Sequence, residues 1–206
     1  MRKSYFVLGC ALLVCGSVIF ASCIEHNKIL GSWKAITPID MTPELSGASS
    51  ASFVPAITFE GGKEKSGGDV TFAGSVSVEK RFTHNLTGEI LMSAAGESRV
   101  EGTWSPDIDD DEDLLIDFDM ESLKIKFDRD DITFSGGGYM SLTNEQKDSL
   151  VTVETEVLAR ELRSVLKTEL IRFSVIEDVE ISKDRNTLGF EIKSPKTDLR
   201  FRRMDK

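Results

Sequence analysis

Alternation with a period of two dominates the middle of this 206-residue chain and narrows its architecture more than any other feature. Ile57 and Phe59 alternate with polar neighbours, as do Val70 and Phe72, Val76 and Val78, Ile90 and Met92, and Val100, Gly102 and Trp104. Ile116, Phe118 and Met120 continue the pattern, then Leu123, Ile125 and Phe127, then Ile132 and Phe134. Such alternation predicts strands with one face buried, and the short links rich in Gly, Asp, Asn and Glu predict an antiparallel meander. Residues 29–36, around GSWKAI, read as an earlier strand. Residues 37–55 hold three of the five prolines among small polar residues and read as a long loop.

After Gly136, Gly137 and Gly138 the period changes. No Gly or Pro occurs over residues 142–173, and Leu150, Val153, Val157, Leu158, Leu162, Val165, Leu166 and Leu170 fall at helical spacing. Thr143 with Gln146 forms a capping box. One amphipathic helix over about residues 143–172 is predicted, its apolar stripe covering a face or open end of the sheet. Three strands follow, over residues 175–182, 187–193 and 197–203, with KDRN and SPK as their turns. About eleven strands in succession are expected to close into an antiparallel β-barrel or fold into a sandwich, because either protects the sheet edges.

The N-terminus has a different logic. Arg2 and Lys3 precede an apolar stretch over residues 5–20, then Ala21, Ser22 and Cys23, after which the chain turns polar. This is the layout of a secretory signal, and the apolar stretch is short for a membrane span. Phe20-Ala21-Ser22-Cys23 resembles the lipobox of bacterial lipoproteins, although that motif prefers Leu where Phe20 stands. The resemblance implies a signal peptide over 1–22, an acyl anchor on Cys23 and a short tether over 23–28. It implies the outer membrane of a Gram-negative cell as well, because Ile24 and not Asp follows Cys23. The leaflet faced stays open.

Cys10 and Cys15 belong to the leader, so an acylated Cys23 leaves no thiol for a disulfide, a metal or catalysis. The remaining chain is long enough for one domain over 29–206 held together by its core. The formal charge is −10, and −12 without the leader's Arg2 and Lys3. That balance argues against nucleic acid and anionic lipid surfaces as partners and assigns membrane attachment to acyl chains.

Little in the sequence points to catalysis. His26 falls in the tether and His84 in a turn, with no nucleophile elbow nearby. Asp107, Asp109, Asp111 and Asp113 lie in an acidic run that could offer calcium hard oxygen ligands. The run lacks the glycine of an EF-hand loop, and a solvated hairpin turn explains it without metal. No metal, cofactor or catalytic residue is therefore expected. Asn85-Leu86-Thr87 has the form of an N-glycosylation sequon, and Asp148-Ser149-Leu150 resembles a three-residue O-glycosylation motif of some anaerobic Gram-negative bacteria.

Gly31-Ser32-Trp33, at the opening of the first strand, resembles the G-x-W signature of lipocalins, and Gly102-Thr103-Trp104 repeats it. With the acids and the LLIDFD segment that follow, the doubled motif is similar to the lipocalin-like domains of small lipoproteins in Gram-negative anaerobes. The resemblance implies a barrel whose tryptophans pack across its closed end and whose glycines permit close backbone approach. It implies a non-catalytic envelope protein holding a small apolar ligand. A lipocalin has eight barrel strands and its helix near the end, whereas here a longer helix precedes three strands and could fill the barrel mouth. The alternative is therefore a structural or interaction lipoprotein that presents its acidic surface or helix to an envelope protein partner.

Overall fold

The computed structural model describes residues 28–61, 67–85, 87–110, 112–193 and 195–204. Strands β1 (Gly31–Ala35), β2 (Ile39–Asp40), β3 (Ala48–Phe59), β4 (Gly68–His84), β5 (Gly88–Pro106) and β6 (Leu114–Ser135) come first. A short helix α1 (Gly137–Met140) and a long helix α2 (Asn144–Arg172) follow, then β7 (Val175–Ile181), β8 (Thr187–Ile192) and β9 (Thr197–Arg203). All nine strands belong to one antiparallel sheet. Because β1 pairs with both β9 and β3, the hydrogen bonding runs round in a ring of eight strands, with two-residue β2 attached to β3.

The ring is narrowest in pairing between β6 and β7, where only Leu114↔Ile176 and Leu115↔Val175 are in register. Beyond that seam β6 is accompanied by α2, which packs beside it and returns the chain to β7. The Ile116 N–H donates to the Ser174 carbonyl, extending the join by one bond at 2.8 Å.

The strand count is nine among the described residues, not about eleven, for a reason visible in β6. Its inward residues run Leu114, Ile116 and Phe118, then shift to Leu123, Ile125 and Phe127, then back to Ile132 and Phe134. Each shift is a bulge: five residue steps from Asp119 to Lys124 face only two from Arg99 to Glu101, and the steps from Phe127 to Ile132 face two from Ala94 to Gly96. A bulge reverses which residues face the core, so one long strand has the sequence signature of three. β5 likewise joins two expected strands, because the small residues 93–96 weaken the alternation without breaking the ladder.

The expected loop over 37–55 is also corrected. Most of its second half is β3, in register with β4 from Ala48↔Lys80 onward. Its inward positions include Ala51, Phe53 and Pro55, of which only Phe53 is a typical strand residue, so its period-2 signal is faint. Pro55 falls between the end of the β2 pairing at Phe53 and the start of the β1 pairing at Ala56. Strand prolines are confined to such interruptions, since they cannot donate to a ladder.

The helix forms as its local signals predict. Thr143 caps it, accepting from the Gln146 N–H at 3.3 Å while the Gln146 side chain accepts from the Thr143 N–H at 2.9 Å. Ahead of it the three glycines open α1, where a Cβ on Gly138 would crowd the carbonyl oxygens of Glu89 and Gly88. Leu158, Leu162, Leu166 and Leu170 form the buried row of α2. Burying four leucines contributes on the order of 6–12 kcal/mol relative to leaving them in water. They join a core in which Phe53, Phe72, Phe173, Phe190 and Phe201 touch in sequence, with ring centroids 4.8–6.2 Å apart.

Candidate functional site

The two G-x-W segments meet the same end of the ring. Trp33 on β1 is fully buried, and its indole N–H donates to the Ile29 carbonyl at 2.7 Å. The Arg203 guanidinium from β9 lies over the indole, 4.1 Å from its centre. Arg203 also donates to the carbonyl oxygens of Arg185, Leu30 and Lys28 at 2.8–3.0 Å, tying the last strand to the entry of the first. Gly31 has φ +118°, and a Cβ there would sit 2.7 Å from an Arg203 guanidinium nitrogen. The glycine is thus required twice, by its backbone conformation and by the arginine packed on it.

Trp104 on β5 packs edge-on against Phe59, the register partner of Gly31, with centroids 5.7 Å apart. Its indole N–H donates to the Glu60 carbonyl at 3.0 Å. Gly102 faces β6 so closely that a Cβ would collide with the Asp117 carbonyl oxygen. Both motifs therefore bring tryptophans and close backbone approach together at this end. Arg203 was not legible as their partner; its only sequence signal is a basic residue at a strand end that should otherwise alternate.

The turn after β7 supports that arginine. The Ser182 hydroxyl and then the Asn186 backbone N–H hold the Asp184 carboxyl below the usual carboxylate range. Their bonds close the turn whose Arg185 carbonyl receives the Arg203 Nε–H.

The acidic run forms the turn between β5 and β6. The Asp107 side chain accepts from the Asp109 N–H, Asp110 from Glu112, and Asp113 from Asp178 across the β6–β7 seam, at 3.0–3.2 Å. Asp111, one of the calcium candidates, lies outside the described residues. Among the described residues no group of three or more His, Cys, Asp or Glu side chains is placed to hold a metal ion. Asp107 and Asp110 thus accept amides of the turn, and Asp113 one of β7. His84 touches the Thr87 hydroxyl through Nδ1 at 3.1 Å, within the turn after β4. Cys23, the leader, the 23–27 part of the tether and His26 lie outside the described residues.

α2 packs over the inner face of β4, β5 and β6. Phe72, Ser98, Val100 and Leu123 line the space between them from the sheet and Leu166 and Leu170 from the helix, leaving no room for a water molecule. One cross-element ion pair and one anchored arginine secure the helix over it. Lys80 Nζ on β4 meets Glu161 at 3.0 Å, and Arg172 grips Glu169 while donating to the Pro195 carbonyl and the Thr197 hydroxyl.

Roomier concavities lie outside the ring. One of about 610 Å³ is bordered by β7, β8 and β9 and carries Glu112, Asp178, Glu191, Asp198 and Arg200. Another of about 310 Å³ crosses β3 to β6 beside the bulge of β6 and is floored by serines and alanine. Neither brings together a nucleophile, a base and an oxyanion donor. No helix among the described residues is long and apolar enough to cross a membrane. No protein-family model, curated protein or solved structure matches the chain.

Proposed function

We propose that this chain is a non-catalytic, lipid-anchored protein of the cell envelope that acts through its outer surface on an envelope protein partner. In this reading Cys23 carries the acyl anchor, the anchor resides in the outer membrane, and the ring of strands is a closed lipocalin-like barrel. The observation that carries it is the filled space beneath α2, where Leu166 and Leu170 already occupy the apolar wall formed by Phe72, Val100 and Leu123. A small-molecule site needs roughly 300–1,000 Å³ of concave space. Vacating it here would expose the buried leucine row, at a cost on the order of 6–12 kcal/mol that the ligand would have to offset.

Native mass spectrometry of the soluble chain beginning at Ile24, purified from its own host's envelope extract, tests this. The expected spectrum shows the chain without a small adduct, or together with a protein partner. Titration with a fluorescent fatty acid is expected to show no saturable binding. A stoichiometric small hydrophobic adduct, released on denaturation, overturns the proposal in favour of an apolar-ligand carrier and gives the ligand's mass.

A further inference from the structure

Charge is divided unequally around the ring. β1 and β6 stand opposite each other, four strands apart whichever way the ring is followed. Between residues 117 and 131, β6 carries six exposed carboxylates against three cations, and the acidic turn 107–113 precedes it. On the far side the balance reverses.

There Lys34 on β1 and Arg202 on β9 are register partners, both exposed, while their neighbours Trp33, Ala35 and Phe201 point inward. Like charges directly opposite on a sheet repel each other. Among the described residues no carboxylate forms an ion pair with either. The adjoining register partners, Ala56 on β3 and Thr187 on β8, are neutral. Just past the ends of β1 and β9, the next positions in the outward phase are Ile36 and Met204, which are 49% and 45% exposed. Arg200 adds a third cation, although it shares its groove with Asp198 and Glu191.

Facing cations bracketed by exposed aliphatic side chains match a membrane interface, with cations for phosphate groups and apolar side chains for the layer beneath. The position fits as well. Arg203 binds the Lys28 and Leu30 carbonyls, so the chain enters the ring at β1. The five residue steps from Cys23 to Lys28 reach at most about 18 Å.

We infer that the outer face of β1 and β9, around Lys34 and Arg202, lies on the anionic phospholipid headgroups of the membrane that holds the anchor. β6 and the acidic turn then point away from that membrane, toward any partner. This rests on the lipid-anchor reading of Cys23. The overall negative charge does not oppose it, because β1 and β9 together carry a single carboxylate, Asp198, while six exposed carboxylates lie on β6; the anchor supplies the attachment and the patch supplies the orientation.

The test uses the whole chain expressed with its own leader, extracted with its anchor and reconstituted into phosphatidylcholine vesicles with or without phosphatidylglycerol. Acylation occupies the thiol of Cys23, so Ile36→Cys or Asp119→Cys provides one site for a fluorophore that brominated lipid quenches on contact. Quenching is expected at position 36 and not at 119, only with phosphatidylglycerol, and it is lost in about 0.5 M salt, where charges are screened within a few ångströms. Lys34→Glu with Arg202→Glu is expected to abolish it with the circular dichroism spectrum unchanged. Equal quenching at both positions, or quenching that survives the charge reversal, overturns the inference. Absence of a diacylglyceryl mass on Cys23 overturns the anchor reading instead. Coupling the Cys23 thiol to a maleimide lipid then lets the same vesicle measurement judge the patch alone.

Discussion

Arg203 and Trp33, 170 residues apart in sequence, are stacked 4.1 Å from guanidinium to indole centre and close the ring of strands at one end. The same guanidinium serves three backbone carbonyls, so this one side chain links β9, the entry to β1 and the turn before β8. Replacing it with alanine removes a cation–π contact and leaves three carbonyls without their donor. Arg203→Ala is expected to destabilise the fold by about 3 kcal/mol, and Arg203→Lys by less, measured by urea denaturation. Equal stability of Arg203→Ala and the parent would show that the end is closed by other contacts.

Gly102 tests the second motif independently of the first. A methyl group there meets the Asp117 carbonyl and the Phe118 backbone, which cannot swing aside as a side chain can. Gly102→Ala should cost about 1–3 kcal/mol, the usual range for overpacking. Thermal unfolding monitored by the Trp fluorescence reports it, and a neutral result would mean that β5 and β6 can separate locally.

Helix α2 is held chiefly by its leucines. Leu166→Ala is expected to lose about 2–5 kcal/mol and to open a void beside Phe72 and Leu123. The variant should also gain weak binding of a fluorescent fatty acid that the parent lacks. Gain without destabilisation would indicate that the helix is not packed as described.

At the helix start, Thr143→Ala removes the side-chain acceptor for the Gln146 N–H. The expected loss is about 1 kcal/mol, typical of an N-cap. Hydrogen exchange should quicken in the first turn of α2 and stay unchanged around Leu166.

The Asp184 turn has a pH signature of known sign. Its carboxyl titrates below the usual range when folded, so its stabilising bonds are present above the unfolded pKa of about 3.9 and are lost as pH falls through the lower folded value. The Asn186 amide shift should therefore titrate with a midpoint below about 3.9. In Ser182→Ala, which removes the foremost cause, the midpoint should rise toward the ordinary value, and an unmoved midpoint would discount the hydroxyl.

Several elements were legible because their signals are local. The capping box at Thr143 and the leucine spacing place α2 to within a residue, since both arise from contacts within a few turns of one helix. Alternation marked β4 and β7 to β9 and showed that the sheet is antiparallel. It failed in β6, where bulges at residues 119–124 and 127–132 reset the phase, and in β3, where Ala and Pro take inward positions usually held by branched or aromatic residues. The tryptophans and glycines of both G-x-W segments could be named from sequence, but not the arginine that completes one of them.

Taken alone, the sequence determined a predominantly antiparallel β architecture, one long capped helix before three final strands, and a net negative chain, because periodicity and composition are properties of neighbouring residues. Tertiary structure decided how those parts combine. It set β1 between β3 and β9, filled the interior with Leu166 and Leu170, and placed Lys34 beside Arg202 with the acids of β6 on the opposite side. Such outcomes depend on register and ring closure, which bring together residues up to 175 positions apart, and no window of sequence contains both members of those pairs.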